Sequence, residues 1–272
     1  MKISVIVSTY NWPSALRLSL LSLMRQTDGD FEIVVADDGS GEETRKLIEE
    51  MAARSSVPVI HSWQEDKGFR LARSRNEAVK KATGDFLIFI DGDCIVPKDF
   101  IGRYRSLIQQ GRTIVGPRIL LEELFTKELL DKGESVEFEQ FDSWRAAREL
   151  CRAGKCNRSF AATVLPLGNF LRNRAGSRWQ HLRGCNWGLS REDFLKVGGQ
   201  DESFEGWGQE DSDMAIRLIN AGVPLRSGRF GGIPVYHLWH RQNTRKDQTE
   251  KMRLLEERIR QKVVQPVKGI SL

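Results

Sequence analysis

Phe86-Leu87-Ile88-Phe89-Ile90-Asp91-Gly92-Asp93-Cys94 is the stretch from which the rest of the chain is read. Five consecutive apolar residues, all β-branched or aromatic apart from Leu87, predict a strand buried on both faces. Two carboxylates separated by one glycine then end it. Like charges at the tip of a buried strand repel each other, and a divalent cation with a bound phosphate offsets that repulsion. Asp91 and Asp93 are therefore candidate metal-site residues. The competing reading is an exposed turn, because Asp-Gly is a common turn dipeptide.

Upstream, the same pattern repeats. Residues 3–7 are apolar except Ser4 and predict a buried strand, and Ser8-Thr9-Tyr10-Asn11-Trp12-Pro13 follows as a polar loop with proline where a helix starts. Leu16, Leu20, Leu23 and Met24 have helical spacing within residues 15–26. A second apolar run, Phe31 to Ala36, ends in Asp37-Asp38-Gly39-Ser40. Residues 42–54 read as a helix, 57–61 as a short strand and 71–81 as a helix that leads to the strand at Phe86. Strands alternating with helices predict an α/β domain with a mainly parallel sheet, whose ligand crevice lies beyond the carboxyl ends of the strands. The loops beginning at Ser8, Asp37 and Asp91 then open on one edge. Neither Gly-x-Gly-x-x-Gly after the first strand nor Gly-x-x-x-x-Gly-Lys is present, so neither a dinucleotide fold nor a P-loop is supported.

The chain has 272 residues, enough for one large domain with a sizeable core. No stretch approaches the roughly 20 apolar residues of a spanning helix. The first apolar run is too short for a signal peptide, which reads as the start of a mature cytoplasmic protein. Cys94, Cys151, Cys156 and Cys185 show no C-x-x-C spacing and are too few for a disulfide scaffold, so a reducing compartment is expected and zinc is not. A net charge of +5 and a pI near 9.1 suit phosphorylated substrates, anionic lipid or nucleic acid without choosing among them.

Residues 120–183 differ in character. A charged amphipathic segment gives way to Arg152, Lys155, Arg158, Arg172, Arg174, Arg178 and Arg183, interleaved with Phe160, Phe170 and Trp179. One reading is a helical insertion whose arginines are solvated. The other is an element that binds acceptor phosphates and sugars or lies on a membrane surface. The aromatic and basic residues form no recognisable nucleic-acid module, so nucleic acid is not an expected partner.

The densest signal lies in residues 184–218, with Gly206-Trp207-Gly208-Gln209-Glu210-Asp211-Ser212-Asp213 at its centre. Acids are favoured at a helix N-terminus, yet three exceed what a cap requires. Glycines allow close backbone approach to a ligand, and tryptophan offers a flat face to a sugar.

Taken together these runs resemble glycosyltransferase family 2 of the GT-A type. Val5-Ile6-Val7-Ser8-Thr9-Tyr10-Asn11, Val35-Ala36-Asp37-Asp38-Gly39-Ser40, Arg70 ahead of Ala72-Arg73-Ser74-Arg75-Asn76-Glu77-Ala78, and Ile90-Asp91-Gly92-Asp93 carry the resemblance. The Trp207-to-Asp213 run followed by His237-Leu238-Trp239-His240 is similar to the galactosyltransferase-type C-terminal region of β-1,4-galactosyltransferases and bacterial chondroitin-polymerase-like enzymes. The resemblance covers roughly residues 3–100 and 184–240.

It implies a Rossmann-like GT-A fold, α/β with helices flanking a mainly parallel central sheet, interrupted by a helical insertion. Residues 1–119 would form the nucleotide-sugar half, 120–183 the insertion, 184–240 the acceptor-side and catalytic half of the same domain, and 241–272 a basic tail. Ser8, Tyr10 and Asp38, with Asp37 beside them, would hold uridine, and Arg70 the nucleotide end of the donor. Asp91 and Gly92 would face the ribose or donor sugar. Asp93 and His240, either alone or together with His237, would bind Mn²⁺ or Mg²⁺ on the diphosphate.

In an inverting transfer Asp211 would be the base and Glu210 would orient the acceptor. Trp187, Trp207 and Gly208 would line the sugar pocket, against the alternative that the two tryptophans are core residues. The expected activity is metal-dependent inverting transfer from a UDP-sugar to a glycan or glycolipid acceptor in surface polysaccharide or lipopolysaccharide synthesis. The alternative is a non-catalytic nucleotide- or glycan-binding module on the same fold. The tail reads either as a peripheral contact with an anionic membrane at the inner face of the plasma membrane or as a solvated helix.

Overall fold

The computed structural model describes residues 1–174, 176–241 and 248–271. In chain order the elements are β1 (Ile3–Thr9), α1 (Pro13–Met24), β2 (Phe31–Asp37), α2 (Glu42–Arg54), β3 (Val59–Trp63), α3 (Leu71–Lys81), β4 (Phe86–Asp91), β5 (Cys94–Ile95), α4 (Phe100–Leu107), β6 (Thr113–Val115) and β7 (Arg118–Leu120). There follow α5 (Glu123–Lys132), α6 (Trp144–Arg152), α7 (Asn169–Asn173), β8 (Asn186–Ser190), α8 (Arg191–Lys196), α9 (Glu210–Asn220), β9 (Leu225–Ser227), β10 (Val235–His237) and α10 (Gln248–Arg260).

The main sheet has the order β3-β2-β1-β4-β8-β6-β9. Only β8 runs against the others, pairing antiparallel with both β4 and β6. β1 and β2 are buried along their whole length and β4 up to Ile90, mostly by apolar residues, because helices cover both faces of the sheet. Leu16, Leu20, Leu47 and Phe100 fill one face, and Ala78, Val79, Phe194, Met214 and Leu218 the other. Register aligns the strand ends, with Ser8 opposite Asp91 and Thr9 opposite Asp37. The three polar loops expected at one edge are therefore at one edge.

A small second sheet, β5-β10-β7, hangs from the end of β4. β10 pairs antiparallel with β5, setting His237 opposite Cys94 and so beside Asp93. Between β7 and β8, Phe125, Leu129, Phe138, Phe141 and Leu150 pack with Leu18, Ile95, Ile119 and Tyr236 into a third core, so the early part of the insertion is rooted in the domain.

Two expectations change here. Cys151 and Cys156 form a disulfide, because the chain leaving α6 turns back on itself, Lys155 N–H donating to the Leu150 carbonyl, and brings the two Cα atoms to 4.7 Å. The basic tail is not wholly solvated: Leu255 of α10 is buried against Phe204 and Ile216, and Arg258 is buried between Asp201 and Asp213. The start of that tail, residues 242–247, lies outside the described residues. Among the described residues no helix is long and apolar enough to cross a membrane.

Candidate active site

One cleft of about 1060 Å³ runs along the carboxyl ends of β1, β2 and β4. It is lined by Ser8, Tyr10, Asp38, Asp91, Gly92 and Asp93 on one side, and by Trp207, Gly208, Glu210, Asp211, His237 and His240 on the other. Residues more than 110 positions apart in the chain thus meet across one space.

Asp38 is almost fully buried and accepts from the Gln64 side chain at 2.5 Å and from the Arg70 backbone N–H at 2.7 Å. Burial pushes its carboxyl up, opposed by the Arg70 N–H. Tyr10 is half exposed and donates to Asp66 at 2.9 Å. Asp37, beside them in sequence, is turned inward: it accepts from the N–H groups of Gly39 and Ser40 and meets His61 Nε2 at 2.8 Å. It shapes the turn and does not reach the cleft.

Arg70 also departs from expectation. Its guanidinium turns to the Glu65 carbonyl and does not line the cleft. The arginine in the cleft is Arg75, one turn further along α3. Its Nε donates to Ser8 Oγ at 2.9 Å, and its Nη2 donates to Asp91 Oδ1 and to the Gly184 carbonyl, each at 2.9 Å. Arg75 is fully buried on the inner face of α3 with Ala72, Ala78 and Val79. The signal that finds it is a charge on the apolar stripe of an amphipathic helix, where an unpaired cation is costly. Gly92 allows the close approach beside it, since a Cβ there would lie 2.8 Å from the Ser8 carbonyl oxygen, which accepts from the Gly92 N–H at 2.7 Å.

Asp93 faces two imidazoles. His237 Nε2 and His240 Nε2 each lie 3.5 Å from an Asp93 oxygen. Their Nδ1 atoms sit 2.8 Å from the Leu238 carbonyl and 2.9 Å from the Arg241 carbonyl. A carbonyl only accepts, so each Nδ1 carries the proton, and in the neutral ring Nε2 presents its lone pair toward Asp93. One carboxylate from the turn after β4 and two such nitrogens from the end of β10 and the segment after it form a donor set that fits a divalent cation. Cys94 adjoins this group, but its thiol is buried and held well above the usual range, so it is a neutral neighbour.

On the opposite wall, Asp211 Oδ2 accepts from the Gly184 N–H at 3.0 Å and Oδ1 from the Ser212 N–H at 2.7 Å. Glu210 is buried, and among the described residues its Oε2 accepts no hydrogen bond. Burial, then the Asp211 charge, push its carboxyl up to about 7, with Arg75 opposing. Gly184 ties the two walls together, its carbonyl held by Arg75 and its N–H by Asp211. Asp213 is structural, buried against Arg217 Nε at 2.8 Å and Arg258 Nε at 2.8 Å. Trp207 and Gly208 line the cleft, and the Lys251 ammonium holds their loop by donating to the carbonyls of Glu205, Gly206, Trp207 and Gly208 at 3.0–3.4 Å.

Trp187 is a correction. It lies opposite Phe89 in the β4–β8 register and stacks on it at 4.2 Å, with no exposed surface. A residue at the middle of a sheet covered on both faces points into a core, so Trp187 fills the interior and lines no sugar pocket.

The family model described as glycosyl transferase family 2 matches residues 4–156, and the one described as the N-terminal domain of galactosyltransferase matches residues 169–241. Validoxylamine A glucosyltransferase of Streptomyces hygroscopicus subsp. jinggangensis is 29% identical over 243 residues, covering 86% of this chain and 56% of that protein. The chain thus spans little more than half the length of this curated relative. S. aureus TarS 1-349 in complex with UDP-GlcNAc superposes with a TM-score of 0.60 at 18% identity, over 94% of this chain and 65% of that one. The mannosyltransferase PcManGT from Pyrobaculum calidifontis in complex with GDP-Man and Mn²⁺ does so with a TM-score of 0.54 at 17% identity, over 94% and 60%. The fold they share with this chain is GT-A.

Proposed function

The chain belongs to glycosyl transferase family 2, and on that premise we propose that it is a metal-dependent inverting glycosyltransferase. It would move a hexose-type sugar from a UDP-sugar to a glycan or glycolipid acceptor in surface polysaccharide or lipopolysaccharide synthesis. The observation that carries this reading is the meeting, in one cleft, of the Asp93–His237–His240 donor set with the Glu210–Asp211 pair.

Residues 1–119 serve the donor and 184–240 the acceptor. Ser8, Tyr10 and Asp38 hold the uridine, while Arg75 takes the place first expected of Arg70 and fixes Asp91 toward the ribose or donor sugar. Asp93, His237 and His240 would hold Mn²⁺ or Mg²⁺; bound there, the cation would neutralise charge on the departing diphosphate. The complex of PcManGT with GDP-Man and Mn²⁺ supports a cation at such a cleft, and that of TarS with UDP-GlcNAc supports a uridine donor.

Asp211, its carboxylate oriented by the Gly184 and Ser212 N–H groups, takes the proton from the attacking acceptor hydroxyl. Glu210, largely protonated below pH 7, donates a hydrogen bond that orients the acceptor. Attack opposite the leaving group converts an α-linked donor to a β-linked product. Trp207 and Gly208 present a flat face and an open backbone to the acceptor sugar.

The test is a thermal-shift panel of UDP-sugars with and without Mn²⁺, followed by transfer assays with the donor that shifts the midpoint. The expected result is stabilisation by one UDP-sugar that requires Mn²⁺, followed by turnover. UDP binding without donor hydrolysis or transfer across the panel would identify a non-catalytic binding module.

A further inference from the structure

The insertion carries a surface that the cleft does not use. From Arg152 to Arg183 the sequence has seven Lys or Arg residues and no Asp or Glu. Within it Phe160, Val164, Leu165, Phe170 and Leu171 are exposed by 46%, 50%, 42%, 80% and 53%. Long apolar side chains confined to a dozen residues, inside a run free of carboxylates, are not an ordinary scatter of surface hydrophobics.

These side chains are presented by a built framework. Arg172, buried on α7, donates to the carbonyls of Leu165, Leu167, Ser227 and Arg229, and so clamps the loop to β9 and the turn after it. Arg226, also buried, donates to Asn169 Oδ1 and Asn173 Oδ1 at either end of α7. Leu165 N–H donates to the Phe230 carbonyl, and Val164 bridges Gly231. Held on that side, the loop cannot fold its apolar residues inward. Arg229 lies over the rings of Phe160 and Phe230 at 5.1 and 4.9 Å, and the exposed Arg158, Arg174 and Arg178 flank the loop in the sequence, whereas Val164 shares a small pocket with Asp99, paired to Arg103, and Asp142. The His181 imidazole is held below its ordinary value by burial and by Arg178 and Arg183.

We propose that the loop from Phe160 to Leu171 is a wedge that docks this protein on an anionic lipid bilayer, its apolar side chains entering the interface and the flanking arginines meeting phosphate headgroups. Shallow apolar insertion combined with cations is the pattern of peripheral membrane binding. A glycan is a poorer occupant, because Val164, Leu165 and Leu171 offer no flat face for a sugar ring. A second copy is poorer still, since its arginines would face these arginines. The surface is also distinct from the basic tail, whose Arg258 and Lys251 are engaged within the protein. Docking needs no transfer reaction, and Gln180 and Arg183 of the same insertion line the cleft, so the docked segment is continuous with the cleft wall.

The experiment is co-sedimentation of the full chain with phosphatidylglycerol–phosphatidylcholine vesicles and with pure phosphatidylcholine vesicles. Binding is expected to the anionic vesicles alone. It should fall about tenfold or more in Phe170→Ser/Leu171→Ser, and about fivefold per arginine removed in Arg174→Gln/Arg178→Gln. It should persist in the tail variant Arg253→Gln/Arg260→Gln. Phe170→Trp should show a blue-shifted emission on anionic vesicles. The proposal is overturned if binding ignores lipid charge, if the tail variant abolishes it while the loop variants bind fully, or if bound Phe170→Trp shows no shift. It is equally overturned if the wild type binds no anionic vesicle; conversion of a dimer to a monomer by Phe170→Ser/Leu171→Ser would then identify the loop as a contact between copies of the chain.

Discussion

Asp91 and Asp93 at the tip of β4, and Glu210 and Asp211 at the start of α9, face the same cleft but are held in opposite ways. The first pair is surrounded by partners from distant parts of the chain: Arg75 pairs with Asp91 at 2.9 Å, and two imidazoles converge on Asp93. The second pair has no cation in direct contact among the described residues. Backbone N–H groups and a helix N-terminus hold Asp211, and Glu210 is left with the cost of burial. Such an arrangement suits the proposed division of labour. A site for a leaving diphosphate needs fixed positive charge, whereas a base needs a carboxylate oriented toward the attacking hydroxyl and not already committed to a cation. Asp213, two residues beyond Asp211, gives the contrast within one helix: paired with Arg217 and Arg258, it is spent on structure.

The largest test of that contrast is Asp211→Asn. It should lower transfer by about 10²–10⁴-fold, the span of general-base contributions, while calorimetric UDP affinity stays put. Wild-type turnover in the variant would remove Asp211 as the base. On the other wall, Asp93→Ala should weaken Mn²⁺ binding, read by the EPR signal of free Mn²⁺, by about 100-fold or more, beyond the 10–100-fold typical of outer-shell changes. Unchanged affinity would mean that the Asp93–His237–His240 group is only a hydrogen-bonded cluster.

A subtler difference concerns stability. Glu210 has its carboxyl raised from 4.5 to about 7, so the folded chain holds a proton there that the unfolded chain releases. Stability from this group is therefore fully present below about pH 4.5 and is lost as pH rises through 7. Glu210→Gln should stabilise the metal-free protein by up to roughly 3 kcal/mol at pH 8 and by less than about 1 kcal/mol at pH 5, measured by urea unfolding. Equal effects at both pH values would show that burial does not perturb this carboxyl. The smallest expected change is in Lys251→Met, which frees the Glu205–Gly208 carbonyls. It should raise the acceptor KM by about tenfold with little change in kcat, the loss of one charge-assisted contact. A fall confined to kcat would place the loop in the reacting centre instead.

Much of the donor side was legible in the sequence because it is local. Helix α3 spans Leu71–Lys81 and β2 spans Phe31–Asp37, as periodicity and the acidic strand end predicted. Arg75 could be found only by noticing a charge on an apolar helical stripe, since choosing it over Arg70 depends on which way each side chain leaves the helix. Trp187 and Trp207 look alike beside their glycines, yet one faces a covered sheet and the other an open loop. The tail's charges read as solvated because their partners, Asp201 and Asp213, lie 45 or more residues upstream.

By itself the sequence determined the alternation of strands and helices, the family, and the residue types available for chemistry, since these follow from periodicity and short motifs. Tertiary structure alone decided which carboxylates share a cleft, which arginine serves them, and which tryptophan is core. It also paired Cys151 with Cys156 and turned an acid-free loop outward. The physical reason is that burial and charge pairing depend on neighbours in space, and here those neighbours are set by strand register and by a chain that returns to the sheet after a long insertion.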